Sequence, residues 1–161
     1  MKRAEVHLIT GPSGAGKTAR LTELYRELKR EHPSWRFGGF LAPARYAGGE
    51  PVAYSLHCLH DGSRLPLVDR RPVFDRSLAV GRFFVNARLF DHCTGLLLER
   101  LRGLDVLFID EAGPLELSGG GWDRLIRRAV AQPRLRIFMA VRDKLAAQIR
   151  QHYGLDDRGM L

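Results

Sequence analysis

Ala4-Glu5-Val6-His7-Leu8-Ile9-Thr10-Gly11-Pro12-Ser13-Gly14-Ala15-Gly16-Lys17-Thr18 is the stretch from which the rest of this 161-residue sequence can be read. Ala4 to Thr10 forms a short β run that ends at Gly11. Gly11 to Thr18 then fits G-x-x-x-x-G-K-[ST] at every fixed position. Each residue type has a physical reason. Glycines let successive backbone N–H groups turn toward one point and form an anion nest. A helix that opens near Lys17 aims the positive end of its dipole at the same point. Lys17 then reaches the β- and γ-phosphates as a point charge, and the Thr18 hydroxyl is a Mg²⁺ ligand. Leu21, Leu24, Tyr25 and Leu28 follow at helical spacing, with Glu23, Arg26, Glu27 and Arg30 opposite them and Pro33 as the stop. The expected phosphate cradle is therefore Gly11, Pro12, Ser13, Gly14, Ala15, Gly16, Lys17 and Thr18.

A nucleotide site needs a second acidic element. Val106-Leu107-Phe108-Ile109-Asp110-Glu111 is a wholly apolar run ending in two acids, as in a strand buried on both faces. On a strand beside the phosphate strand, Asp110 is expected to hold Mg²⁺ through water. Glu111, pointing elsewhere, is expected to orient the attacking water or take its proton. A second buried run, Arg136 to Val141, ends at Arg142. That arginine either touches the γ-phosphate and stabilises transition-state charge, or is one surface arginine among 22. Arg45, Arg82 and Arg88 are weaker candidates of the same kind. Glu116 is either a supporting acid or a loop carboxylate.

Outside these motifs the chain alternates. Trp35 to Leu41, Val52 to Leu59 and Arg64 to Val68 read as strands, with turns at Gly48-Gly49 and Asp61-Gly62. Arg70 to Ala79 reads as a loop, and Val80 to Val85 as a short strand. Helices are expected over about 87–102, from Trp122 to Val130, and over about 143–153. Strands and helices alternate at both ends, with a β-rich insert over about 36–85. This predicts one α/β domain over 1–161: a mostly parallel sheet flanked by helices, carrying a β-hairpin insert.

Composition narrows the function classes. The formal net charge is +8, with lysine only at positions 2, 17, 29 and 144. Such a balance calls for an anionic ligand or partner, or simply a soluble surface. The apolar runs reach about five residues, so no membrane span is expected. The first ten residues lack the apolar core of an export signal, and Cys58 and Cys93 read as free thiols, so a cytoplasmic setting is expected. His57, Cys58 and His60 have no second cluster to complete a zinc site.

Taken together these residues resemble a known family, the bacterial and archaeal nucleoside-triphosphatases whose human relative is called cancer-related nucleoside-triphosphatase. The resemblance rests on Gly11 to Thr18, on Gly39-Phe40, on Val80-Gly81-Arg82-Phe83-Phe84-Val85-Asn86 before the long helix, and on Asp110-Glu111-Ala112-Gly113-Pro114-Leu115-Glu116-Leu117. The last is the most specific, because it runs well past a generic acidic strand end. The resemblance implies a RecA-like P-loop NTPase fold and slow, Mg²⁺-dependent hydrolysis of ATP, GTP and other nucleoside triphosphates. It assigns phosphate and Mg²⁺ to Lys17 and Thr18, and Mg²⁺ and water to Asp110 and Glu111. The sequence departs from the pattern after Gly39-Phe40, where it reads Leu41-Ala42-Pro43-Ala44-Arg45 in place of an acid followed by arginine. It also lacks a final strand with an Asn-Arg pair, as a shorter branch would.

The leading expectation is hydrolysis of ATP or GTP to the diphosphate and phosphate, with Lys17, Glu111 and Arg142 as the catalytic set and Thr18 and Asp110 as the metal ligands. A kinase for a nucleotide or small metabolite is the alternative, its acceptor held by the insert and the Arg64 to Arg82 loop. A nucleotide-switched nucleic-acid or protein-binding module is the third reading. Arg124, Arg127 and Arg128 are better read as a solvated face, so nucleic acid is not the expected partner.

Overall fold

The computed structural model describes residues 2–156. Its strands are β1 (Glu5–Gly11), β2 (Phe37–Leu41), β3 (Ala44–Ala47), β4 (Glu50–Cys58), β5 (Arg64–Asp69), β6 (Ser77–Val80), β7 (Phe83–Asn86), β8 (Val106–Ala112) and β9 (Arg136–Arg142). Its helices are α1 (Lys17–Glu31), α2 (Ala87–Arg100), the one-turn α3 (Pro114–Leu117), α4 (Asp123–Val130) and α5 (Ala146–Tyr153). All nine strands join one sheet of order β1-β9-β8-β2-β4-β5-β7-β6, with β3 paired to β4. The first four in that order run parallel. The pairings beyond β2 are antiparallel.

Strict alternation in the parallel strands builds two cores. Leu107 and Ile109, with Ile137, Met139 and Val141, face α2, α4 and α5. Val106, Phe108, Phe138 and Ala140 face α1, where Leu21 is buried and Leu24, Tyr25 and Leu28 pack beside it. Strands buried on both faces are why these runs carry no polar alternation.

Gly39 is the joint between the two halves of the sheet. It pairs with Phe108 of β8 in the parallel register, while the next residue, Phe40, pairs with Cys58 of β4. Its φ is +93°, and a Cβ there would run into the Phe108 carbonyl. Only glycine combines that backbone angle with that approach.

Two strands lie where the sequence suggested none. β3 and β6 have no buried residue, so no apolar period marks them. The Gly48-Gly49 turn therefore joins β3 to β4, not β2 to β4. The strand expected over Val80 to Val85 is divided by a turn at Gly81-Arg82, with β6 before it and β7 after. The long helix starts at Asn86, whose side chain accepts from the Leu89 N–H.

Candidate active site

The phosphate loop lies at the carboxyl end of β1. Gly14 and Gly16 have φ of +78° and +85°, which turns the loop backbone inward, and α1 begins at Lys17 with no acid in its first turn. No acidic side chain of the first turn of α1 itself therefore offsets the dipole end. Lys17 is buried, and its Nζ donates to the carbonyls of Gly11 at 3.1 Å and Pro12 at 2.9 Å.

Asp110 and Glu111 close β8. The expectation that this strand lies beside the phosphate strand is corrected: β9 stands between β1 and β8. Both acids still reach the loop. Asp110 is buried, accepts from the Ala42 N–H at 2.9 Å, and is hydrogen-bonded by the Thr18 side chain. Burial raises the Asp110 pKa above the ordinary carboxylate value, opposed by these two donors and by Lys17. The register of β8 against β9 slips between Ile109 and Ala112, so the two acids sit on an irregular turn of strand. Such a bulge re-aims side chains. Glu111 has partners different from those of Asp110. Its Oε2 lies 3.5 Å from Lys17 Nζ and its Oε1 3.3 Å from Arg142 Nε.

Arg142 owes its place to register. β1 and β9 pair residue for residue, ending with Gly11 opposite Arg142. By alternation with Phe138 and Ala140 it belongs to the α1 face of the sheet, the face of the phosphate loop. Its side chain is half exposed.

The weaker candidates go elsewhere. Arg45 lies 3.8 Å from Asp69, and Arg82 lies 3.8 Å from Glu50 and over the Phe83 ring. Arg88 makes no ion pair among the described residues. Glu116 is neither at the phosphates nor solvated. It is 4% exposed, and its carboxylate accepts from the Gly113 N–H at 2.8 Å and the Trp122 N–H at 3.1 Å. It pins both ends of the loop that follows the two acids. Burial pushes its carboxyl up, and those amides pull it back. Arg124, Arg127 and Arg128 are exposed as expected, and Arg127 is also tied to Asp123 at 2.9 Å.

Sequence reasoning missed two contributors. The Ala42 amide carries no side-chain signal. Tyr54 of β4 is a half-buried phenol that feels Glu111 and Arg142. Burial pushes it up, Tyr46 and Glu111 add to that, and the two arginines 142 and 82 oppose it. Cys58 and Cys93 are free, buried and mutually hydrogen-bonded; burial first, then Cys58, pushes the Cys93 thiol up to about 12. Such a thiol is inert. No group of three or more His, Cys, Asp or Glu able to hold a metal occurs among the described residues, and no helix there is long and apolar enough to cross a membrane.

A glycine loop that opens a helix on its lysine, two strands away from paired acids, is built for a nucleoside triphosphate, and the fold is that of a P-loop NTPase. Residues 6–156 match the model of the family described as NTPase, and the chain belongs to that family. Nucleoside-triphosphatase THEP1 of Sulfolobus acidocaldarius is 32% identical over 123 residues, spanning 74% of this chain and 67% of that protein. The protein of the same name from Archaeoglobus fulgidus is 27% identical over 148 residues, spanning 90% and 84%. Among solved structures, the solution structure of a human cancer-related nucleoside triphosphatase superposes with a TM-score of 0.69 at 24% identity, over 98% of this chain and 88% of that one. The crystal structure of THEP1 from Aquifex aeolicus gives 0.66 at 21%, over 97% and 88%. These two likenesses concern the fold.

Proposed function

We propose that the protein hydrolyses ATP or GTP to the diphosphate and phosphate, with Lys17, Glu111 and Arg142 as the catalytic residues. Membership of the NTPase family makes nucleoside-triphosphate hydrolysis its chemistry. The observation that supports the residue roles is the row Lys17–Glu111–Arg142, with one carboxylate within 3.5 Å of both cations.

The loop amides and Lys17 bind the β- and γ-phosphates. As Lys17 turns to phosphate oxygen, the Glu111 oxygen it held is released. Glu111 then orients a water molecule on the γ-phosphorus. The water oxygen bonds to phosphorus as the bond to the β-bridging oxygen breaks, and Glu111 is the acceptor within reach for the water's proton. Arg142 is aimed to offset negative charge on the γ-phosphoryl oxygens.

A divalent cation fits the donors present. Thr18 offers a hydroxyl and Asp110 a buried carboxylate, already hydrogen-bonded to one another. Mg²⁺ is commonly held by one or two such oxygens plus phosphates and water. Thr18 and Asp110 would hold it, and it would supply positive charge to offset that of the phosphate oxygens.

The test is a panel of nucleotides with Mg²⁺, following the γ-phosphate with and without candidate acceptors. Free phosphate is expected throughout; phosphate transferred to an acceptor would establish a kinase instead. Glu111→Gln is expected to retain nucleotide binding and to slow phosphate release by about 10²- to 10³-fold. Unchanged turnover would move the water-positioning role to another residue.

A further inference from the structure

A second polar cavity, of about 460 Å³, opens between the start of α2, the segment before β6, and the glycine run after α3. It shares no lining residue with the phosphate loop, Asp110, Glu111 or Arg142. Arg76 and Arg124 face it from different elements, and Asp91 lines it from α2. None of these three side chains has an ion-pair or hydrogen-bond partner among the described residues. Elsewhere the arginines near acids are paired, as Arg70 with Glu50 and Arg71 with Asp69 show.

Thr94 also lines this cavity. It is 6% exposed, and its hydroxyl oxygen is closed off from solvent and has no hydrogen-bond partner among the described residues. The rest of the lining is apolar, with Leu78, Phe90 and Leu115 as its main surfaces. Two cations from different elements, one carboxylate and an apolar floor around one cavity are the pattern of a small-molecule site. The volume lies within the usual range for such sites.

We infer that this cavity binds a small phosphorylated molecule that carries free hydroxyls, of sugar-phosphate to nucleoside-monophosphate size. The two guanidinium groups take the phosphate. Asp91 accepts from a hydroxyl, which excludes an anion lacking donors.

The probes are ribose 5-phosphate, AMP, ribose and inorganic phosphate, added to the full chain and followed by calorimetry, with and without Mg²⁺ and a non-hydrolysable ATP analogue. Ribose 5-phosphate or AMP is expected to bind whether or not the analogue is present, and more tightly than ribose or phosphate alone. AMP ahead of ribose 5-phosphate would define a nucleotide source for the ligand, and the reverse order a sugar phosphate. The double variant Arg76→Ala/Arg124→Ala is expected to weaken that binding at least tenfold, and Asp91→Ala to erase the preference over phosphate. Both arginine side chains are exposed and unpaired, so the fold survives, as circular dichroism would check. Basal nucleotide hydrolysis is expected to be unchanged. Absence of binding, binding that the double variant retains, or displacement by the ATP analogue would each overturn the inference. So would loss of basal hydrolysis in the double variant.

Discussion

Glu111 touches both cations of the cleft at once, and that arrangement decides what a substitution nearby should do. On the roles proposed above, removing Arg142 leaves Glu111 with Lys17 alone and takes one positive group from the γ-phosphoryl end. Arg142→Ala is expected to lower kcat about a hundredfold with little change in KM, because the lost contact is to charge that develops in the transition state. Steady-state phosphate release measures this, and parental turnover would remove Arg142 from the reaction. Lys17, Thr18 and Asp110 were legible as residues because their chemistry is tied to a fixed spacing and a strand end. The direction of Glu111 was not. That its carboxylate lies between Lys17 and Arg142 depends on strand order and on the irregular backbone between Ile109 and Ala112, neither of which a sequence pattern marks. Glu116 was ambiguous for a similar reason: a carboxylate near glycines reads the same whether it faces water or two buried amides.

Among the elements, α1, α2, α4, α5 and the parallel strands were legible because each has a buried stripe or a fully apolar run. β3 and β6 were not, since their partners, rather than their own apolar pattern, make them strands. The β2 joint is the element on which the sheet turns from parallel to antiparallel. Gly39→Ala is expected to cost about 3 kcal/mol or more, since it adds both a strained positive φ and a clash with the Phe108 carbonyl. Urea unfolding reads that loss. The α4–α5 contact has its own signature. Burial pushes Asp123 up, but hydrogen bonds from Arg127, Tyr153 and His152 outweigh it, so its carboxyl sits below the ordinary value. The unfolded chain therefore takes up this proton first. The stability Asp123 contributes is complete above its unfolded pKa of about 3.9 and fades as pH falls through the lower folded value. Asp123→Asn is expected to cost about 2 kcal/mol at pH 7. The gap to the parent should narrow on going to pH 3; a constant gap would mean that the carboxylate's charge contributes nothing.

At the scale of the molecule, one sheet runs unbroken from β1 to β6, so the insert and the nucleotide-binding half are expected to unfold together. Trp122 is buried against one face of that sheet and Trp35 packs against the other. Fluorescence and far-UV circular dichroism should therefore give coincident thermal midpoints, and two separate midpoints would divide the chain into two units. The general architecture was legible because buried parallel strands and amphipathic helices both leave long-period patterns. Strand order was not, since which strand lies between β1 and β8 is a matter of packing across more than a hundred residues. That order has a further consequence for how the chain tolerates insertions and deletions. β1 and β9 are matched at seven consecutive positions, from Glu5 opposite Arg136 to Gly11 opposite Arg142. One residue gained or lost within β9 would slide Arg142 by about 3.3 Å and turn it to the far face of the sheet. A compensating change in β1 would carry Gly11 and the loop after it out of place instead. These two strands thus accept changes of residue but not of length. The room for gaps lies in the turns at Gly48-Gly49, Asp61-Gly62 and Gly81-Arg82, where an added residue lengthens a hairpin and leaves the β1–β9 match untouched.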